Sequence, residues 1–374
     1  MKRIKTTKLA VASLCLASLA ALSGCGGSNT GETTPSSKIS GLRVFGDSLA
    51  DSGTFGYKFT VQTTGNYIFA ERIAMAYGQT LCPYYSPTSA DSFVPNTAKT
   101  GCTSYAIGAG VVNSATLANP TTNQKGILLQ LAAAGATAYG PTEMAMIDGG
   151  GNDAANLVGA FLAAQQGSTA SLFAIFGSTL TPTQLGAINP ANAATVVTAG
   201  GQYMTTLADN LYASITANVL NKGGKYVVIA NIPDITLTPR FQLVLKSIGA
   251  SQGAATQQQL QGVFQGWISA FNAEIAAKAA GDARVAVIDI YSNFQDEVAN
   301  PATYALTNVT TPACPAVGVG SDGLPVYDFP TCTATTAAAG WQSYLFSDGF
   351  HPTPFGHQLA SQLISRTLAQ KGWL

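Results

Sequence analysis

The segment FGDSLADSG, residues 45–53, follows a short apolar run and places Ser48 where a β-strand should end. Glycine, aspartate and serine are common turn residues, so the segment could simply reverse the chain. Alternatively, Ser48 is a nucleophile, and the chain must then supply a base, an acid that orients the base, and donors for an oxyanion. Four residues recur by chance, so the rest of the sequence has to decide between these interpretations.

Both histidines of the chain lie in the segment SDGFHPTPFGH, residues 347–357. Histidine is the side chain best suited to act as a base at neutral pH, and Asp348 stands three residues before His351. That spacing lets the carboxylate turn back onto the imidazole within one loop, fix its tautomer and stabilise the imidazolium. We therefore predict His351 as the base and Asp348 as its orienting acid. His357 falls where the last helix begins and is predicted to be structural or to support the site.

Two glycine-rich segments are candidates for the oxyanion donors. DGGGNDAANL, residues 148–157, is either a strand-to-helix turn capped by Asn152 or Asp153, or a turn that aims the Asn152 side-chain amide at the oxyanion. SYAIGAG, residues 104–110, could direct the backbone N–H of Gly108 or of Ala109 at the same oxygen.

A rival serine lies in GASQG, residues 249–253, which satisfies the G-x-S-x-G pattern of the α/β-hydrolase nucleophile turn. Ser251 and His351 even follow the chain order of that fold. However, no histidine precedes residue 351, so the HGGG-type oxyanion segment is missing, and residues 46–49 and 149–153 would have no role. We therefore favour Ser48 and interpret Ser251 as a helix-capping residue.

Strands and helices alternate along the chain, which predicts an α/β fold with a parallel sheet covered on both faces. Helices are predicted around residues 204–219 and 260–275, and from about residue 355, where apolar residues recur every three or four positions. Stretches 54–140, 159–190 and 295–345 are predicted to be ordered insertions around the site. Strands are predicted in four apolar runs: LRVF (42–45), MAMID (144–148), YVVIANIP (226–233) and RVAVIDI (284–290).

The segments FGDSLADSG, YAIGAG, GGND and DGFHPT occur in the order typical of the SGNH, or GDSL, esterase/lipase family. The resemblance runs from about Leu42 to the end of the chain and is strongest to plant-type GDSL lipases and their secreted bacterial relatives. It implies a three-layer α/β/α sandwich, of the SGNH-hydrolase or flavodoxin-like kind, with a parallel sheet of about five strands. It also implies that Ser48 is the nucleophile and an oxyanion donor, Asn152 a second donor, Asp348 the orienting acid and His351 the base.

The chain departs from this family in its second glycine block. Ser104 stands where the family usually has asparagine, and Ala109 occupies the second glycine position. An alanine keeps the backbone donor only if the local backbone angles suit a residue with a side chain. We therefore predict Gly108 as the third oxyanion donor, although Ala109 is the strict positional match.

The predicted function is that of a serine carboxylester hydrolase that needs no metal and no organic cofactor and works through an acyl-enzyme. An acyltransferase would use the same residues, and a non-catalytic lipoprotein that binds glycans or lipids in the old cleft is a third alternative. The acyl chain length and the alcohol of the substrate stay open, as does the oligomeric state. Aromatic residues of the first insertion could line an acyl pocket or belong to the core: Phe59, Tyr67, Phe69, Tyr84, Tyr85 and Phe93.

The start of the chain is typical of a bacterial lipoprotein signal peptide. Basic residues precede the apolar stretch from Leu9 to Leu22, which is too short to span a bilayer, and LSGC follows. We predict a signal peptide over 1–24, lipidation of Cys25, a flexible tether over 25–40 and a hydrolase domain over 41–374. Gly26 favours anchoring to the outer membrane, and the alternative is a plain signal peptide and secretion.

Charge and cysteine content exclude two further classes of partner. Removal of residues 1–24 takes 4 of 18 basic residues, which leaves 14 against 18 acidic ones and a net charge of −4. A chain of this charge has no basic surface for nucleic acid. The remaining cysteines lack the close spacing of zinc ligands, and in an exported chain their even number predicts two disulfides. Three pairings are possible, and the local one is preferred: Cys82 with Cys102, and Cys314 with Cys332.

Overall fold

The structure is a computed structural model that describes residues 39–374. The predicted signal peptide, the lipidation site Cys25 and residues 26–38 of the tether lie outside the described residues. Residues 39–374 form one compact unit. Within residues 39–374, no helix is both long enough and apolar enough to cross a membrane.

The strands between residues 39 and 374 are β1 (Gly41–Phe45), β2 (Tyr85–Ser89), β3 (Ser92–Pro95), β4 (Glu143–Ile147), β5 (Tyr226–Ala230), β6 (Val285–Ile288), β7 (Gly318–Val319) and β8 (Pro325–Val326). Four of them form a parallel central sheet in the order β1, β4, β5, β6, while β2 pairs with β3 and β7 with β8 in two antiparallel hairpins. The predicted apolar runs therefore form the sheet.

The fifth strand implied by the family resemblance is present only as an irregular edge. Residues 103–107 run parallel to β1, and the N–H of Val44 donates to Thr103 at 3.0 Å while the N–H of Tyr105 donates to Val44 at 2.7 Å. This edge, β1, β4, β5 and β6 together give the flavodoxin-like order 2-1-3-4-5. The segment does not form a regular strand, because it makes only isolated pairings to β1 and to Pro83 before it turns at Ala109.

The helices within residues 39–374 are α1 (Phe69–Ala76), α2 (Ile127–Gly135), α3 (Gly151–Gln165), α4 (Ala170–Gly177), α5 (Pro182–Gly186), α6 (Ala193–Asn218), α7 (Pro239–Gln252), α8 (Ala254–Ala279), α9 (Ile290–Ala299) and α10 (Pro354–Gln370). They cover both faces of the sheet, so the structure is the predicted α/β/α sandwich. Phe45, Ile147 and Ile229 pack against α2, α3, α6 and α8, whereas Val44 and Met146 pack against α1 and α10 on the other face.

Burial on both faces explains why the strands read as continuous apolar runs instead of alternating ones. In β4, Met144 and Met146 enter one core and Ala145 and Ile147 the other, as the two-residue period of a strand requires. The long helices α6 and α8 meet where the Trp267 indole lies against a glycine of α6 and donates to the carbonyl of Val197 at 2.9 Å.

The predicted pairing of the cysteines is confirmed. Cys82 is bonded to Cys102 beside the irregular edge of the sheet, and Cys314 is bonded to Cys332 in the last insertion. A disulfide of this kind typically contributes about 2–4 kcal/mol. The second bridge lies in a small apolar cluster, and the N–H of Cys314 donates to the carbonyl of Ser347 at 2.7 Å. The bridge therefore closes a loop within the last insertion, and the Cys314 hydrogen bond joins that loop to the segment that carries Asp348 and His351.

Candidate active site

Three loops meet at the carboxyl end of the sheet, which is where reactive groups gather in open α/β folds. Ser48 follows β1 directly, Asn152 lies in the first turn of α3 after β4, and His351 lies in the loop before α10. Together with Ala109 and Asp348 they line one cleft of about 840 Å³. The structure thus brings together side chains that are up to about 300 positions apart in the sequence.

A continuous chain of hydrogen bonds joins the serine, the histidine and the aspartate. Ser48 Oγ lies 2.8 Å from His351 Nε2, and His351 Nδ1 lies 2.9 Å from Asp348 Oδ2. The other carboxylate oxygen, Oδ1, accepts from the backbone N–H groups of Phe350 at 2.8 Å and His351 at 2.6 Å. This geometry orients the imidazole with Nε2 toward the serine, as a base that activates a hydroxyl requires.

The electrostatics of the pair favour the ionised carboxylate. Burial raises the pKa of Asp348, but the charge of His351 and the hydrogen bonds to Oδ1 and Oδ2 outweigh burial, so the pKa lies below 3.8. Burial lowers the pKa of His351, but the charge and hydrogen bond of Asp348, together with the charge of Asp47, raise it above 6.5. The imidazole is therefore set up to accept a proton from Ser48 and to hold it.

Apolar rings and a closed turn hold the imidazole in place. The Phe59 and Phe329 rings each lie 5.3 Å from the His351 ring, centroid to centroid. The N–H of the buried Ser347 donates to the carbonyl of His351 at 2.7 Å, and Ser347 Oγ accepts from the N–H of Val61 at 3.1 Å. The imidazole of His351 therefore sits on a loop held by hydrogen bonds, and the neighbouring rings exclude water from part of its surface.

Two backbone N–H groups and one side-chain amide belong to residues that line the cleft together: Ser48, Ala109 and Asn152. Within residues 39–374, the N–H groups of Ser48 and Ala109 have no protein acceptor. Asn152 Nδ2 donates one hydrogen to the carbonyl of Gly110 at 2.9 Å, which leaves its second hydrogen free to donate. This set of donors is what a tetrahedral oxyanion needs.

The prediction of Gly108 as a donor is not supported. Its N–H donates to Asp51 Oδ2 at 2.8 Å, so it is already used, and Gly108 does not line the cleft. Its glycine is required for packing, because a Cβ there would lie 2.2 Å from the Phe59 ring. Ala109, the strict positional match, lines the cleft and adopts a left-handed φ of 62°, which is unfavourable for a residue with a side chain.

Three comparisons with known proteins bear on identity. A family model described as GDSL-like lipase/acylhydrolase matches residues 42–364. The chain belongs to this family. A crystal structure of an extracellular lipase from Streptomyces rimosus is similar at 14% sequence identity and a TM-score of 0.44, over 88% of this chain and 100% of that one. No curated protein matches the sequence.

Membership of the GDSL-like lipase/acylhydrolase family makes the protein a serine esterase or lipase that acts on carboxylic esters. The resemblance of FGDSLADSG, YAIGAG, GGND and DGFHPT to the family is thereby confirmed. In the part of the chain that the structure describes, no group of three or more histidine, cysteine, aspartate or glutamate side chains is arranged to hold a metal ion.

Sequence reasoning missed the buried groups that shape the nucleophile turn of this GDSL hydrolase. Asp148 Oδ1 accepts from the N–H of Asp47 at 3.2 Å, and the Gln130 amide both accepts from the N–H and donates to the carbonyl of Gly46, at 2.9 and 3.0 Å. Gly46 has a φ of 147°, and a Cβ there would collide with the Asp148 carboxylate. The hydrogen bonds from Asp148 and Gln130, together with the backbone conformation of Gly46, therefore fix the turn that carries Ser48.

Two further buried carboxylates hold the second glycine block. Asp51 accepts from the N–H groups of Gly53, Thr54 and Gly108 at 2.7–2.9 Å. Asp153 accepts from the N–H groups that follow the block, and burial raises the pKa of this carboxyl to about 6. Asp153 therefore joins two loops through hydrogen bonds. It does not cap α3, because the start of that helix has no side-chain cap. The sequence signal for these roles was that Asp51 and Asp153 are charged residues within motifs made mostly of small and apolar residues.

Neither His357 nor Ser251 takes part in the site. His357 is buried in α10, where Nδ1 accepts from the N–H of Phe69 at 3.4 Å, and burial lowers the pKa of its imidazole to about 3. It therefore stays neutral, in agreement with a structural role. Ser251 lies in the last turn of α7, so it caps no helix start, and its exposed Oγ donates to the carbonyls of Ser247 and Ile248. A helix and not a strand leads into Ser251, so GASQG forms no nucleophile turn.

Proposed function

We propose that this GDSL hydrolase cleaves carboxylic esters through an acyl-enzyme on Ser48. The observation that carries the proposal is the hydrogen-bonded chain from Ser48 Oγ through His351 to Asp348 at the base of an open cleft. Ser48 Oγ attacks the ester carbonyl carbon while His351 Nε2 takes the hydroxyl proton. Asp348 stabilises the imidazolium that forms and keeps Nδ1 protonated throughout.

The backbone N–H groups of Ser48 and Ala109 and the free amide hydrogen of Asn152 then receive the oxyanion. As the tetrahedral intermediate collapses, the imidazolium gives its proton to the leaving alkoxide and the alcohol departs. Water enters, His351 removes its proton, and attack on the acyl-enzyme releases the acid and restores Ser48. In this scheme the charge that develops meets donors that are already in place, which is usually the largest contribution to such catalysis.

The test is hydrolysis of p-nitrophenyl acetate by the purified full chain, with Ser48→Ala beside it and Ser251→Ala as the matched control. We expect Ser48→Ala to lose turnover and Ser251→Ala to keep it. Turnover that survives in Ser48→Ala would contradict the proposal. An added alcohol that captures the acyl group in preference to water would favour the acyltransferase alternative.

We further propose that the protein is exported and anchored to the outer membrane through lipid on Cys25. The basic start, the short apolar stretch and LSGC support this proposal, and two disulfides suit an oxidising compartment. The test is metabolic labelling with a fatty acid followed by membrane fractionation. We expect the label and the outer-membrane location to be lost together in Cys25→Ala, whereas a Cys25→Ala protein that fractionates like the wild type would contradict it.

A further inference from the structure

The segment from Gly108 to Asn113 keeps one backbone N–H available to the cleft and uses all the others. Within residues 39–374 the N–H of Ala109 has no protein acceptor, and Ala109 lines the cleft. The remaining N–H groups of the segment donate at 2.8–3.0 Å: Gly108 to Asp51, Gly110 to the carbonyl of Ile107, Val111 to the carbonyl of Lys125, and Val112 and Asn113 to Asp153. The backbone on both sides of Ala109 is therefore held by hydrogen bonds.

Ala109 itself is held in a conformation that alanine does not favour. It is the third residue of a turn that the N–H of Gly110 closes onto the carbonyl of Ile107 at 3.0 Å, and its φ is 62°. A positive φ at this position of a turn usually requires glycine, which has no steric penalty there. Relaxation to a negative φ would reorient the peptide group that carries the Ala109 N–H. The contacts around the turn must therefore keep this N–H in its direction.

Asp51 holds the turn from the side of the nucleophile. It stands three residues after Ser48, and its side chain is fully buried. Its Oδ1 accepts from two N–H groups of its own loop, at 2.7 and 2.9 Å, and its Oδ2 accepts from the N–H of Gly108 at 2.8 Å. One carboxylate thus joins the loop that follows the nucleophile to the turn that carries the Ala109 N–H.

Asp153 holds the far end of the same segment from α3. It follows Asn152 directly and is 1% exposed. Its two oxygens accept from the N–H groups of Val112 and Asn113 at 2.9 and 2.8 Å. The Asn152 amide adds a third bond, to the carbonyl of Gly110 at 2.9 Å. The nucleophile loop and α3 are therefore both joined to the segment between them.

We propose that Asp51 and Asp153 are positioning residues, which set the direction of the Ala109 N–H so that it meets the oxyanion. Neither carboxylate lines the cleft, so each acts through residues 108–113 and not by contact with the substrate. The inference rests on the proposed function, because the oxyanion forms only if Ser48 attacks the ester. Loss of either carboxylate should then slow the reaction without weakening the binding of the substrate.

The test begins with substitutions that change a single acceptor. In Asp51→Asn the oxygen stays where two N–H groups of its own loop point, so the NH₂ faces the N–H of Gly108 and that one bond is lost. Asp153→Asn removes one of the two acceptors at the other end of the segment. Asp234→Asn is the matched control, because Asp234 is also fully buried, also accepts a backbone N–H, at 3.2 Å, and does not line the cleft.

Two measurements distinguish a positioning role from a purely structural one. The first is kcat and KM for p-nitrophenyl acetate, and the second is the inhibition constant of trifluoroacetophenone, a ketone that forms a tetrahedral adduct with a nucleophilic serine. Loss of an oxyanion donor typically lowers kcat by about 10²–10³, and a misdirected donor keeps part of its effect. We expect Asp51→Asn and Asp153→Asn to lower kcat by at least about tenfold, with KM within about twofold of the wild type. The inhibition constant should rise by about the same factor as kcat falls, and Asp234→Asn should change none of these values.

Ala109→Gly tests whether Asp51 acts through Ala109. Glycine adopts a positive φ without strain, so a glycine at this position needs the carboxylate less. We expect the loss of kcat caused by Asp51→Asn to be at least about threefold smaller in the Ala109→Gly background. An equal loss in both backgrounds would overturn the inference, because residues that do not act on each other have additive effects.

Other results would overturn it as well. One is an unchanged kcat in folded Asp51→Asn or Asp153→Asn, and another is a loss that Asp234→Asn reproduces. If only one of the two variants folds, that variant carries the test, and failure of both to fold beside a folded Asp234→Asn would assign the carboxylates to stability alone. Turnover that survives in Ser48→Ala would instead refute the proposed function, whereas an inactive Ser48→Ala beside a fully active Asp51→Asn would refute only the positioning role.

Discussion

Asp348→Asn tests the hydrogen-bonded chain most severely, because it changes one atom and keeps the shape of the side chain. In the structure, Asp348 Oδ2 receives the Nδ1–H of His351, and Oδ1 receives the backbone N–H groups of Phe350 and His351. An asparagine that keeps its oxygen at the Oδ1 position turns its NH₂ toward Nδ1. The imidazole must then carry its proton on Nε2, so it presents no lone pair to Ser48 Oγ.

The size of the loss follows from what restoring the active tautomer would require. The amide would have to flip, and its NH₂ would then face two backbone donors whose bonds are 2.8 and 2.6 Å long in the wild type. Each buried polar group left unpaired costs about 1–3 kcal/mol, so the active arrangement lies about 2–6 kcal/mol higher. That energy corresponds to a loss of about 30-fold to 3 × 10⁴-fold in rate.

The assay is kcat/KM for p-nitrophenyl acetate between pH 5 and 9, with Asp282→Asn as a control carboxylate outside the cleft. The wild type should gain activity as the pH rises through the pKa of His351, because only the neutral imidazole accepts the proton of Ser48. Since Asp348 raises that pKa, the acidic limb should move to lower pH in Asp348→Asn. A loss of less than tenfold with an unmoved acidic limb would refute the reasoning.

Three further predictions concern the donors and the buried acid behind the turn. Asn152→Ala should lower kcat by about 10²–10³ with little change in KM, as measured by steady-state kinetics. Ala109→Gly should keep its activity and raise the melting temperature, because glycine relieves the left-handed φ, whereas Gly108→Ala should lower it through the clash with Phe59. Burial and the charge of Asp47 raise the pKa of Asp148 well above 3.8, so the folded state keeps a proton that the unfolded state releases and stability falls as the pH rises. Asp148→Asn should therefore gain in melting temperature over the wild type between pH 4.5 and 8.

Each of these predictions has an outcome that would contradict it. Unchanged kcat in Asn152→Ala would remove the amide from the oxyanion site, with Asn156→Ala in the same cleft as its control. If Ala109→Gly were inactive although folded, the side chain of Ala109 would matter and the backbone account would be wrong. A stability difference between Asp148→Asn and the wild type that is the same at both pH values would show that Asp148 does not hold its proton in the folded state.

The sheet and the hydrogen-bonded chain could be predicted because their signals are local. Strands buried on both faces are continuous apolar runs. Asp348 and His351 belong to one short loop, and their spacing of three residues already predicts that they are in contact. Ser48 could be assigned once that loop supplied its base. The interpretation of Ser251 as a helix cap failed for a related reason, because the short pattern GASQG does not reveal that the residues before it form a helix.

The oxyanion donor depends on contacts between distant segments, which no short motif records. Nothing in YAIGAG shows that Asp51 takes the N–H of Gly108. The aromatic residues of the first insertion were equally ambiguous. Phe59 lines the cleft, but Phe69, Tyr85 and Phe93 are buried in the core.

The most direct test of the account is to identify the serine that becomes covalently modified. The full chain is treated with a p-nitrophenyl phosphate triester, whose phosphoryl group a nucleophilic serine captures as p-nitrophenolate leaves, and peptide mass spectrometry then locates the adduct. The account predicts one adduct per chain, on the peptide that contains Ser48, and its loss in Ser48→Ala and in His351→Ala. An adduct on Ser251 or another serine, or full esterase activity in a chain whose Ser48 stays unmodified, would contradict it.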